Sequence, residues 1–369
     1  MILTIFIFID LLIVLAFAFT PYVTRKTELF GVSLPSSQTH LPELNKMRAA
    51  FRNISLMIGV VFIGLTVLVF YLFKNENAMS VAYTVLLFID LIVTFFVYLV
   101  FHKRMKQFKH AQGWDTDEAK NATLIVDTSA PANDTQSTKW LWLYVVIAAL
   151  TVFIIWRIWP IVPDKIVMHM DLAGNVDRWV DKGLGAVFTV VFTQWFLLAI
   201  FAGTFFIVKY SKRQIDAAQP ELSRIQAARF RKIMSGSLYW GGVIMGVLMG
   251  AMQIMMLLNV DMRLAVGLPI AILVIAVVFV VVLYLKVGQG GSRLKVGKAS
   301  STKDANPDND KYWKLGQFYV NKNDPSIFVE QRFGIGYTCN WAHPISWLLL
   351  IGLFVLVGVL IWLSVKFAS

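Results

Sequence analysis

The sequence predicts an all-α membrane protein with eight transmembrane helices, a small extracellular hairpin and a cytoplasmic β-hairpin-like segment before the last helix. Three observations carry that prediction. The 369-residue chain is 57% hydrophobic and 15% charged, whereas soluble domains run at about 45–50% apolar and about 25% charged. Its mean hydropathy is +0.66. Eight apolar runs approach the roughly 20 residues that a helix needs to cross about 30 Å of hydrocarbon: 2–20, 54–73, 79–101, 140–159, 184–208, 237–258, 264–285 and 345–365. Backbone groups in lipid must pair within their own segment, which makes each run a helix.

Charge sets the orientation. With the N-terminus outside, the first, third, fifth and seventh loops are cytoplasmic and hold 27 of the 34 Lys and Arg. By the positive-inside rule both termini then lie outside a multipass protein of the cell membrane. The net charge of +12 reads as a topology signal, and no basic-aromatic module supports nucleic-acid binding. Residues 2–20 are expected to remain as a helix, because Arg25 and Lys26 follow the run, whereas a signal peptide carries its charge in front. The single cysteine, Cys339, excludes an internal disulfide framework and a multi-Cys zinc site.

The loops divide the chain into parts: a three-helix membrane part (1–105), a flexible cytoplasmic linker (106–139), and a four-helix membrane part (140–285) with an outer loop at 160–183. A cytoplasmic loop (286–344) with an aromatic-rich segment at 311–344 and the last helix (345–369) complete it. In the first loop, "ELNKMRAAFRN" is expected to run helically into the second span. The linker is Ser-, Thr-, Asn- and Asp-rich. "PELSRIQAARFRKIMSG" starts a helix at Pro220. It reads either as a snorkelling helix on the anionic inner leaflet, with Arg224, Arg229, Arg231 and Lys232, or as a docking site for a cytoplasmic partner.

The seventh loop opens with "KVGQGGSRLKVGKASS". A phosphate-binding loop fails on spacing, since Ala299 follows Gly297-Lys298 and Ser292 stands where the first Gly is required. A flexible tether is the expectation. Beyond it, Phe318–Val320 and Ile327–Val329 flank "NKNDP" and predict one small hairpin, with Trp313, Phe333 and Tyr337 as anchors at the membrane surface.

The outer loop carries the chemistry. Pro160 and Pro163 stop the fourth helix, and alternation from Asp164 predicts a half-buried strand, with Ile166, Met168, Met170 and Leu172 on one face. Gly174-Asn175 suits a turn that brings His169, Asp171 and Asp177 together. Such a group can be a capped, hydrogen-bonded loop, a pH-sensitive contact or a divalent-metal site, although one His with two Asp is a poor zinc cage. No metal or other cofactor is expected. Within the spans, Asp10, Asp90, Gln194 and Gln253 stand out, as interhelical hydrogen-bonding groups or, for the acids, as a proton relay. Zinc-protease and G-x-S-x-G motifs are absent, and no catalytic residue is named.

"VPDKIVMHMDLAGNVDRW" resembles the hallmark of an uncharacterised bacterial membrane-domain family, P-x-x-I-x-x-H-x-(N/D)-x-x-G-x-x-D. Pro163, Ile166, His169, Asp171, Gly174 and Asp177 match that pattern, while Val167 stands where the family often has Pro. The family includes the immunity and signalling protein against the SDP killing toxin of Bacillus. Thr20–Pro35 and Lys311–Pro344 look like companion segments of its longer Gram-positive members, and the tail resembles a second domain of unknown function. The resemblance covers about a fifth of the chain. It implies cell-membrane location, eight or so helices, and toxin resistance or signal relay. The expected function is therefore non-enzymatic sensing, immunity or relay at the outer face. Its expected partners are the bilayer, an extracellular peptide toxin or small ligand, and a cytoplasmic regulator at the basic loops. The alternative is a small-molecule or proton-coupled transporter that uses Asp90 and Asp10.

Overall fold

The structure, a computed structural model, describes residues 2–115, 134–170, 176–215, 219–260, 262–296 and 310–366. Its helices are α1 (Ile2–Val23), α2 (Pro42–Leu72), α3 (Glu76–Ala111), α4 (Trp142–Ile158), α5 (Leu184–Tyr210), α6 (Pro220–Leu257), α7 (Met262–Val287) and α8 (Pro344–Lys366). Among the described residues, seven helices are long and apolar enough to cross a membrane. The sequence led us to expect eight. The eighth helix, α8, is apolar over Pro344–Val359 among the described residues. Large side chains such as Val60 (70% exposed) and Phe88 (63%) point outward, as a surface solvated by lipid requires and one solvated by water disfavours. The protein is an integral membrane protein with several apolar helices in the bilayer.

Local sequence explains the helix ends. Pro42 opens α2, with Glu43 in the first turn, where a missing N–H and a negative charge both suit the helix N-terminus. Asn75 caps α3, its side chain accepting from the Ala78 N–H at 3.0 Å. The expected helical run into the second span is present. α3 continues past its apolar run to Ala111, so that Lys109 is helical and buried.

Two compact units make up the chain, and they do not follow its linear order. The first comprises Met1–Thr128, Lys212–Ala227 and Tyr284–Ala342, the second Ser129–Ser211, Ala228–Leu283 and His343–Ser369. In the first unit α1, α2 and α3 pack together, and Gly59 leaves room for Val14, which would lie 2.3 Å from any Cβ there. Phe30, Phe51, Tyr98, Phe101 and Phe333 form its aromatic core.

The first unit also holds three small hairpins. β1 (Glu28–Leu29) pairs with β2 (Val32–Ser33), β5 (Trp313–Lys314) with β6 (Phe318–Tyr319), and β7 (Phe328–Glu330) with β8 (Tyr337–Cys339). The expected pairing of 318–320 with 327–329 across "NKNDP" is not formed. Two tight turns took precedence. Leu315-Gly316 (φ +52° and +72°) folds β5 onto β6, while Asp324, through Ser326 N–H, and Asn340, through Asn321 N–H, cap the "NKNDP" turn. Trp313 and Phe333, expected at the membrane surface, are each 4% exposed and belong to the protein core. The expected tether is also partly built in, since Gln289, Gly290 and Gly291 are buried.

In the second unit, β3 (Lys165–Met170) and β4 (Val176–Asp181) form the hairpin predicted over 160–183, antiparallel with bulges around His169. Arg231, expected to snorkel, turns inward (2% exposed) and pairs with Asp134 at 2.6 Å.

Candidate functional site

The β3–β4 hairpin is fixed at its base. Ile166 packs with Ile155, Val162, Val191 and Leu257. Lys182 donates to the Val162 carbonyl at 2.8 Å and sits 5.0 Å above the Trp159 ring. Asn259 donates to the Lys165 carbonyl at 3.3 Å. Strict alternation fails, because Ile166 and Val167 are both buried, and the adjoining bulges are the kind of irregularity that re-aims a strand. The backbone register sets His169 opposite Arg178, a residue that the sequence reading passed over. Asp171 and Gly174 lie outside the described residues, as do the side chains of His169 and Asp177. Their expected grouping is therefore not visible. Among the described residues no group of three or more His, Cys, Asp or Glu could hold a metal ion.

The intramembrane polar residues divide between the two units. In the first, Asp10 accepts from the Thr66 hydroxyl at 2.6 Å and from the Tyr83 hydroxyl at 3.1 Å. One carboxylate thereby ties α1 to α2 and α3. Asp90 is 3% exposed, and its Oδ1 has no hydrogen-bond partner among the described residues. In the second unit the Gln194 amide donates to Thr151 Oγ1 at 3.0 Å and to the Gly246 carbonyl at 2.8 Å. Gln253 is buried.

Close approach there depends on Gly242, Gly246 and Gly250, spaced four apart on α6. A Cβ at these positions would meet Tyr144, Leu198 and Thr151 at 2.0, 2.8 and 2.6 Å. This is the small-residue packing that substitutes for hydrophobic drive between helices in lipid. The signal was present in "GGVIMGVLMG" and was missed.

The feature least legible in the sequence is an ionic cap in the first unit. Arg332, 2% exposed, pairs with Asp310, donates to the Gly31 carbonyl at 3.1 Å and lies 3.8 Å from Glu28. Lys109 reaches Asp310 at 2.8 Å and Ser33 Oγ at 2.9 Å. Arg25 pairs with Glu330. Three cations thus face three carboxylates drawn from four stretches of chain.

The neighbouring turns, Phe30-Gly31 and Leu315-Gly316, stack so closely that a Cβ on Gly31 would fall 2.4 Å from the Gly316 carbonyl oxygen. Tyr98 OH donates to the Phe30 and Leu315 carbonyls at 3.2 and 2.9 Å, and His102 Nδ1 lies 2.7 Å from the Phe30 carbonyl. Burial pushes the Glu28 carboxyl up to about 7 against the pull of Arg332 and Arg25. Burial also opposes ionisation of Asp310, but Arg332 and Lys109 outweigh it and hold that carboxyl below the usual range.

Two family models match parts of the chain. Residues 145–194, which include the β3–β4 hairpin, match a domain of unknown function (DUF1648). Residues 322–347, which include Glu330 and Arg332 of the cap, match a family of unknown function (DUF5808). No curated protein matches, and no solved structure matches. The chain thus carries two matched regions of unknown function, one over the β3–β4 hairpin and one over part of the ionic cap.

Proposed function

We propose that this is a non-enzymatic protein of the cell membrane that senses or resists an agent at its outer face and relays its state inward. In this reading eight helices cross the bilayer and both termini lie outside. The 160–183 hairpin meets a peptide toxin or small ligand, and the ionic cap meets a cytoplasmic regulator. The observation that carries the reading is the cap itself. Burying charges costs several kcal/mol per ion before pairing offsets it, so apolar packing would stabilise as well. A buried charge network is better suited to selecting one arrangement over another, which a relay needs.

The hairpin adds support, being anchored at its base and bulged at His169. Resemblance to the SDP-toxin immunity family supports a peptide toxin as the agent. The test is survival of a toxin-sensitive Gram-positive host that expresses the chain. Protection is expected to be lost in His169→Ala at unchanged protein level, because the hairpin packs through Ile166. Equal protection by His169→Ala would remove the hairpin from the mechanism.

A second reading, proton-coupled or small-molecule transport, is favoured by Asp90, a buried acid whose Oδ1 is unpaired among the described residues. Asp90→Asn keeps the shape and removes the titration. Normal expression with loss of activity would support transport, whereas full activity would oppose it.

A further inference from the structure

The glycine-rich stretch that fails the phosphate-loop spacing nevertheless lines a basic cavity. In the first unit, Gln289, Gly290 and Ser292 meet Arg25, Lys26 and the start of α6 around a cavity of about 310 Å³. Hydroxyls and amides line most of the rest, Thr27, Thr39 and Ser223 among them, with Leu222, and among the described residues no Asp or Glu lines it. Arg25 is held by Glu330 and by the Gln214 carbonyl at 3.4 Å. It therefore presents an oriented set of donors, while Lys26, exposed to solvent, supplies the net positive charge.

Gly290, at φ +61°, permits this arrangement, since a Cβ there would fall 2.3 Å from an Arg25 guanidinium nitrogen. Ser292 Oγ is buried and has no hydrogen-bond partner among the described residues. α6 begins at Pro220, so its first-turn N–H groups lack acceptors within the helix and carry the positive end of its dipole.

We propose that this cavity binds a phosphoryl group, borne by an anionic lipid headgroup or by a small soluble phosphate. Donors converging from a guanidinium, an ammonium, hydroxyls and a helix N-terminus suit an oxyanion with several acceptor oxygens. A volume near the lower end of the roughly 300–1,000 Å³ typical of ligand sites fits a headgroup and not a dinucleotide. Arg25 follows the end of α1 at Val23, and Gly288 follows the end of α7 at Val287. The cavity therefore lies level with span ends, where headgroups are found. The inference does not depend on what the outer hairpin senses.

The test uses the full chain in nanodiscs. In phosphatidylcholine discs, inorganic phosphate and glycerol 3-phosphate are titrated by calorimetry. In discs that also contain phosphatidylglycerol, native mass spectrometry reads the retained lipid. Saturable binding of the soluble phosphates assigns the site to a free ligand, and retention of phosphatidylglycerol alone assigns it to lipid. In either case Lys26→Gln is expected to weaken binding roughly tenfold, as loss of a charged hydrogen-bonding partner does, and Ser292→Ala to weaken it less. Lys26 is exposed, so the substitution leaves the fold intact. Lys103→Gln, an exposed basic residue outside the cavity, should bind as wild type. Absence of binding by every probe, or equal weakening by Lys103→Gln, would overturn the proposal.

Discussion

Arg332→Ala is expected to release the ionic cap and destabilise the first unit by about 3–5 kcal/mol, the usual cost of removing one partner from a buried ion pair. The substitution leaves Lys109 and the Ser33 N–H on Asp310 and takes from Glu28 a guanidinium 3.8 Å away. It also removes the donor to the Gly31 carbonyl and the guanidinium above the Trp313 ring, 5.0 Å away. Limited proteolysis should cut within 311–342 while the spans stay protected, and the thermal midpoint in detergent should fall. An unchanged midpoint would show that the charges contribute no net stability.

Glu28→Gln separates charge from packing in the same cap. The folded carboxyl titrates near 7 and the unfolded one near its ordinary value of 4.5, so the folded state holds the proton more tightly. Stability from this group is present below about 4.5 and is lost as pH rises to about 7, on the order of 3 kcal/mol. The Gln variant should lack that slope. Asp310, shifted the other way, contributes stability that disappears only on acidification below the usual carboxylate range.

Gly250→Val is expected to cost roughly 2–4 kcal/mol, combining overpacking with lost interhelical hydrogen bonds. A Cβ at this position would lie 2.6 Å from Thr151 Oγ1 and 3.0 Å from Gln194 Nε2. The added methyls would therefore push the Gln194 amide off both acceptors in a place where no water can replace them. Gly203→Ala, with open space around its Cα, is the control and should be close to neutral. Equal thermal midpoints for the two variants would mean that the glycine row does not set the packing of α6.

Which parts of this architecture were legible follows from the range of the forces involved. Each span is written locally, as an unbroken apolar run, and the helix start at Pro220 was legible for the same reason. The β3–β4 pairing was legible in the sequence, whereas the predicted face was not, because Ile166 and Val167 are both buried and bulges surround His169. The cap was not legible. Arg332 and Glu28 are far apart in sequence, and neither stands in a periodic pattern that points to the other. Hairpin partners were misassigned because "NKNDP" looks like a turn between strands. In fact Leu315-Gly316 closes one hairpin before it, and the β7–β8 hairpin follows it. Asp90 was recognised as exceptional from its apolar surroundings, but that its Oδ1 has no partner among the described residues required three dimensions.

The account turns on the hairpin lying outside the cell and the cap inside. Single cysteines at Asp164 and at Lys103, both exposed, in a Cys339→Ser background, test this with an impermeant thiol reagent on intact cells. The account predicts that Asp164→Cys reacts in intact cells and that Lys103→Cys reacts only after lysis. Labelling of Lys103→Cys in intact cells, with Asp164→Cys protected until lysis, would contradict it and move the sensing face to the cytoplasm.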